Sequence, residues 1–286
     1  MYLSQEIRQR AKIYARNLVI FNFWACAGAS VIALIIPFLG SMLLALGQPD
    51  LNAIVLQNDL QTFYLYLAAS LVVQIVLFIL NIPLLLGYFS WLSEMTMGRK
   101  RKLSYLFSWC ANSERLKKSL SAAMHFIGRA LLEGIKFTLI PQILLGISMY
   151  YVTAEQFRML GVMVIALLLF IVGTVLALIR VIGNYPALYL LAAVPEMTAS
   201  EAFSQCAQFM YNKKTELFKL VLSFIPWTLL EMLTYNVAGL FVKPYYYLAM
   251  LYFVQQIYNR WLYETGKVDQ YIDPLINLFE GGHADV

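Results

Sequence analysis

Apolar residues along this chain gather into about six long runs, separated by short polar stretches. The first run covers about residues 18–46 and the second 63–92, each longer than the ~20 residues a helix needs to cross the hydrocarbon of a bilayer. A third helical pattern extends from about 114 to 151, followed by runs over 160–179, 217–237 and 245–262. In lipid every backbone N–H and C=O must be paired within the chain. The pattern therefore predicts an all-α, polytopic membrane bundle of about six transmembrane helices. The third pattern is too long for one crossing: at 1.5 Å per residue it would reach ~55 Å against a ~30 Å core, so its first half belongs to the interface or the cytoplasm.

Amphipathic stretches accompany the runs. Residues 3–17 set Ile7, Ala11, Tyr14 and Leu18 at helical spacing, with Lys12 and Arg16 opposite, the mark of a helix lying in the membrane plane. Residues 103–109 read as a short interfacial helix. Thr198, with Glu201 three positions on, has the form of a capping box. It predicts a surface helix over about 198–214 whose apolar side carries Ala202, Phe203, Cys206, Phe209 and Met210. In the first run Ala25, Ala29 and Ala33, with Gly28 and Ser30 beside them, form a small-residue stripe that admits another helix closely, one from the same chain in the favoured reading. Tyrosines and tryptophans near the run ends, Tyr150, Tyr151, Tyr245, Tyr246, Tyr247, Trp261 and Tyr263 among them, fit interfacial belts.

Composition agrees with this picture: 61% of residues are hydrophobic and 13% charged, against ~25% charged in soluble domains. The expected organisation is an interfacial segment over 1–17, a transmembrane domain over 18–262 with a basic loop at about 93–120, and an acidic tail over 263–286. That leaves no room for a separate soluble catalytic domain. The net charge of +5 invites a nucleic-acid reading, but the placement of the cations excludes it. Arg8, Arg10, Lys12 and Arg16 precede the first run, seven lysines and arginines lie between the second and third, and Lys213, Lys214 and Lys219 lie between the fourth and fifth. The intervening connections at 47–61 and 151–156 carry none. This alternation predicts a bacterial cytoplasmic membrane protein with both termini inside, its cations drawing anionic headgroups. The long first run and its polar opening do not resemble a cleaved signal peptide, so the N-terminus is expected to be retained. Cys26, Cys110 and Cys206 stand singly and read as packing residues, without disulfide or zinc spacing. No metal or cofactor is expected.

Two features carry candidate chemistry. His125, Arg129, Glu133 and Lys136 are spaced four, four and three residues apart and so share one helix face. They could line a hydrated path or grip an anionic group, or simply form the wet side of an overlong helix, paired among themselves. Glu231 sits inside the fifth run, where a charge costs ~3 kcal/mol. It should face the bundle, protonated or paired, with Lys243 or Arg158 in reach and Gln255 and Gln256 as further partners. Phosphate-loop, zinc-protease and nucleophile-elbow motifs are all missing from the sequence. The leading expectation is a non-enzymatic protein that binds or moves an amphipathic or anionic solute, or assists an envelope export system. The alternatives are a structural or regulatory module binding lipid, a partner membrane protein or a second copy, and an intramembrane lipid enzyme.

The stretch from Leu217 to Trp227, LFKLVLSFIPW, followed by Thr234, Gly239, Pro244 and Tyr245, resembles bacterial membrane proteins of domain-of-unknown-function family 975. Tyr189, Pro195, Glu201, Ala202, Met210 and Lys214 fall on that family's Y…P…EA…M…K pattern, and the opening around Arg8 to Lys12 is similar to its N-terminus. The family has an aspartate at the position of Ala193 and glycines at those of Asn212, Pro226 and Asn236, which marks a divergent member. Asparagine tolerates the left-handed backbone, and Pro226 implies a kink. The resemblance implies a six-helix membrane fold, distantly similar to the membrane portion of glycerophosphodiester phosphodiesterases, and no settled activity.

Overall fold

A computed structural model describes residues 2–46, 60–99, 101–153, 160–234 and 236–266. The described residues fold as helices joined by short turns, and no strand occurs among them. In chain order the α-helices are α1 (Tyr2–Phe21), α2 (Phe23–Leu46), α3 (Leu60–Thr96), α4 (Ser108–Ala111), α5 (Ser113–Thr153), α6 (Leu160–Ile182), α7 (Pro186–Ala193), α8 (Ala199–Phe209), α9 (Lys214–Leu222), α10 (Ile225–Leu233) and α11 (Gly239–Glu264). A 3₁₀ turn, Leu103–Phe107, precedes α4.

Among the described residues four stretches are long and apolar enough to cross a membrane: Phe23–Gly40, Ala68–Thr96, Ser113–Ser148 and Leu160–Ala193. These fit a membrane protein. The other two expected spans take different forms. Where the fifth was expected the chain folds as two nine-residue helices, α9 and α10, parted at Ser223 and Phe224. Each measures ~13 Å, too short to cross alone. Pro226, which has no N–H to donate, opens α10 at its first turn and cannot continue α9. The sixth is continuous as α11, but Lys243, Gln255, Gln256, Asn259 and Arg260 keep it outside the apolar set. The first span also starts later than expected, because α1 runs on to Phe21 and the chain bends at Asn22, whose side-chain amide donates to the Leu18 carbonyl at 3.1 Å.

The core forms where residues 82–93 of α3, nearly all of α7 and most of α11 meet. Trp109 of α4 donates its indole N–H to Ser90 Oγ at 2.9 Å, and Ser90 donates onward to the Ala192 carbonyl at 2.8 Å, stitching α4, α3 and α7. Gly87 of α3 lets the 3₁₀ turn lie against it, for a Cβ there would overlap the Leu106 carbonyl. α2 joins α3 and α11 through buried Cys26, Ala29, Ser30 and Ala33. The small-residue stripe therefore serves an intrachain contact, with Ala25 itself exposed. α1 lies along α11 with Ala11, Ala15 and Val19 buried. α5 and α6 form a hairpin joined at Ala166, Gly173 and Ala177; a Cβ on Gly173 would overlap the Phe137 carbonyl. The outward residues of α6 and of the second half of α5, with those described from Leu71 to Leu80 of α3, are largely exposed and apolar, as lipid-facing surfaces are.

Local signals hold well. The capping box is complete: Glu201 N–H donates to Thr198 Oγ1 at 3.3 Å and Thr198 N–H to Glu201 Oε2 at 2.9 Å. All five residues expected on the apolar side of that helix are buried. Asn212 and Asn236 take φ of 58° and 67°, supplying the left-handed turns expected of them.

Candidate functional site

The expected stripe on α5 folds mostly as a docking face. His125 Nδ1–H donates to the Ser121 carbonyl, 2.9 Å away, and its ring stacks on Phe203 of α8 at 5.9 Å. Arg129 donates to the Phe203 carbonyl at 3.2 Å, with its guanidinium 5.1 Å from the same ring. Glu133 meets Lys136 at 3.6 Å. The half-buried Lys214 of α9 joins this group. Burial pulls its ammonium below the ordinary lysine range, the charges of Arg180 and Arg129 act in the same direction, and Cys206 and Glu133 oppose them. Cys206 itself is pushed up to about 12 by burial and packs as a thiol. Arg180, Lys214 and Phe203 were not among the expected members of this group; only the tertiary contact between α5, α6, α8 and α9 assembles it.

Glu231 belongs to a different place. It is the only buried residue of α10, and its Oε1 lies 3.0 Å from Lys243 Nζ of α11. The chain turns back on itself between them: Asn236, in the left-handed region, donates to the Glu231 carbonyl at 2.8 Å. Gly239 leaves room for the carboxylate, since a Cβ there would come within 2.6 Å of Oε1. Of the partners expected for Glu231, Lys243 takes the position; Gln255 is buried with neither side-chain polar atom bonded, and Arg158 lies outside the described residues. Glu231 and the α5 stripe share no partner among the described residues.

The ion pair borders two cavities. One, of about 290 Å³, is walled by Phe224, Ile225, Thr228, Val242, Tyr246 and Tyr247. The other, of about 60 Å³, lies between Lys243, Ser30, Asn81, Tyr88 and Pro37. Ser30 and Tyr88 share a hydrogen bond of 3.1 Å, while Asn81 Oδ1 is buried without a partner. Lys243 and Tyr247 line both cavities. The tyrosines at 245–247, expected in an interfacial belt, instead build this interior: Phe224 packs on Tyr245 and Tyr246 at 4.9 and 5.3 Å, and Tyr247 on Tyr88 at 5.7 Å. The outer wall is thin, because Ile225 and Thr228 of α10 are themselves exposed. Asn81 had a signal in the sequence, one of two amides, with Gln74, inside the second apolar run. The aromatic walls had none, being indistinguishable there from belt residues.

A third group collects around α1 and α9. Gln5, Arg8, Gln9 and Lys12 of α1 face Lys219 and Ser223 across a cavity of about 200 Å³. Glu216 holds Arg8 at 3.2 Å and Lys219 at 2.8 Å. Lys12 lies 5.5 Å from the Phe224 ring centroid, and burial together with the Arg8 charge pulls its ammonium below the ordinary lysine range.

The family model described as "Protein of unknown function (DUF975)" matches residues 1–261. The chain belongs to this family. No curated protein and no solved structure matches it. DUF975 membership accounts for the whole helical body through α10 and nearly all of α11, and so covers each of the groups above.

Proposed function

We propose that this DUF975 protein is non-enzymatic and binds an amphipathic, anionic molecule drawn from the membrane, which it moves or presents to an export system. The observation that carries the reading is the ion pair between buried Glu231 and half-buried Lys243, whose lysine lines two cavities. An ionised side chain at membrane depth is expensive and marks a binding or transport path by default. Lys243 has three donors, and Glu231 engages it at one contact of 3.0 Å, which leaves donors for an anionic group. The free Asn81 Oδ1 accepts a hydroxyl in the smaller chamber. Apolar and aromatic walls along α10 suit the ligand's hydrocarbon part. The reading includes a bacterial cytoplasmic membrane, with the basic segments inside, on the charge asymmetry of the sequence.

Native mass spectrometry of the intact protein in mild detergent tests this. A defined anionic lipid or solute is expected on the wild type. Lys243→Met should lower its occupancy about ten- to a hundredfold, as loss of a charge-assisted hydrogen bond implies, while Lys243→Arg retains it. Because Lys243→Met strands a buried carboxylate, Glu231→Gln/Lys243→Met serves as the folded control. Equal occupancy of wild type and the folded double variant overturns the assignment.

A further inference from the structure

The α1–α9 cavity lies apart from the Glu231–Lys243 pair, and its chemistry is of another kind. Gln5, Arg8, Gln9 and Lys12 follow the spacing i, i+3, i+4, i+7, so all four project from one face of α1. Lys219 and Ser223, four residues apart on and just beyond α9, close the other side. Three cations thus meet one carboxylate, Glu216, which is engaged with Arg8 and Lys219. Among the described residues Lys12 has no carboxylate within ion-pair distance, and only the face of Phe224 lies under its ammonium.

Such a seat is built for a dianionic or monoanionic oxyanion. Arg8 is pre-oriented by Glu216, two amides and a hydroxyl supply neutral hydrogen bonds, and Lys12 and Lys219 supply charge. A carboxylate ligand would use one edge of this ring of donors; a tetrahedral phosphate uses donors on several sides. We propose that the α1–α9 cavity is a phosphate-binding site, taking the phosphate of a lipid headgroup or of a free phosphate compound. α1 is an amphipathic element of the chain, and a phosphate bound there fixes α1 to α9.

Native mass spectrometry on the full chain reads affinity for three probes: phosphatidic acid, phosphatidylcholine and inorganic phosphate. Lys12→Met and Lys219→Met are expected to weaken phosphate-group binding about five- to tenfold each. Arg10→Met, an exposed residue paired with Glu6 at 2.6 Å, should change it less than twofold. Loss confined to phosphatidic acid identifies a lipid headgroup, and loss of inorganic phosphate binding identifies a free phosphate compound; both support the site. Unchanged affinities in both lysine variants, or an equal loss in Arg10→Met, overturn it. Retention of the ligand at Lys243 is unaffected by Lys219→Met, whose side chain lines only the α1–α9 cavity, so the two sites fail or survive separately.

Discussion

The most apolar of the four spans contains α6, and α6 is among the most exposed helices of the molecule. Leu167, Leu168, Ile171, Val172 and Val175 all face outward. α11, too polar to pass as a span, is buried from Leu248 to Tyr258 almost without interruption. In a soluble protein this order would be inverted. Lipid is as apolar as leucine, so outward apolar side chains cost nothing there, and helices associate through close packing and polar contacts instead. α6 is accordingly held to α5 by the clearance at Gly173. α11 is held by an ion pair, a tyrosine hydrogen bond to Gln205 at 2.9 Å and aromatic packing.

The contrast breaks most visibly at large side chains. Phe253→Ala in α11 removes a fully buried ring and should cost about 3–5 kcal/mol, whereas Leu168→Ala, at an exposed site of α6, should stay within about 0.5 kcal/mol. Unfolding in one detergent reads both, and similar losses would dissolve the distinction. A smaller effect is expected at the α5–α6 seam. Gly173→Ala must displace the Phe137 backbone and should destabilise by about 1–3 kcal/mol, while a Cβ at Gly161 meets nothing within 4 Å and Gly161→Ala should not destabilise; the same unfolding assay tests the pair. Smallest is the cap of α8, which lies between the two regions. Thr198→Ala should cost about 1 kcal/mol. The backbone and hydroxyl of Thr198 hold the Glu201 carboxyl below the usual carboxylate range. Its contribution is present above the unfolded carboxylate value and fades as pH falls through the folded one. Glu201→Gln, which removes the titrating group, should therefore flatten the acid side of the stability profile; an unchanged profile would remove Glu201 from the cap.

Much of the fold could be read in advance because its signals are local. Run length announced the membrane helices, and Thr198 and Glu201 announced the start of α8. Asn212 and Asn236 could stand for glycine because both tolerate positive φ. The break between α9 and α10 had one local mark, Pro226, set in a run apolar enough to look continuous. The candidate site was legible in one half: Glu231 stood out as a charge in an apolar run, with Lys243 within reach. The tyrosines of 245–247 were misassigned to a belt, because aromatic composition near a helix end is the same for a belt and for an interior wall.

By itself, then, the sequence determined an all-helical membrane protein with basic segments between alternate runs, since crossing lipid imposes length, apolarity and internal backbone pairing on each segment separately. Which helix lies inside was decided by the tertiary structure alone. In lipid the apolar count no longer distinguishes inside from outside, and close approaches such as Gly87 on Leu106 and Gly173 on Phe137 do. The same holds for the sites. Lys243 stood within reach of Glu231 along the chain, and the turn at Asn236 chose it over the other candidates; Lys12 meets Lys219 through the packing of α1 on α9, a long-range contact that no spacing along the chain encodes.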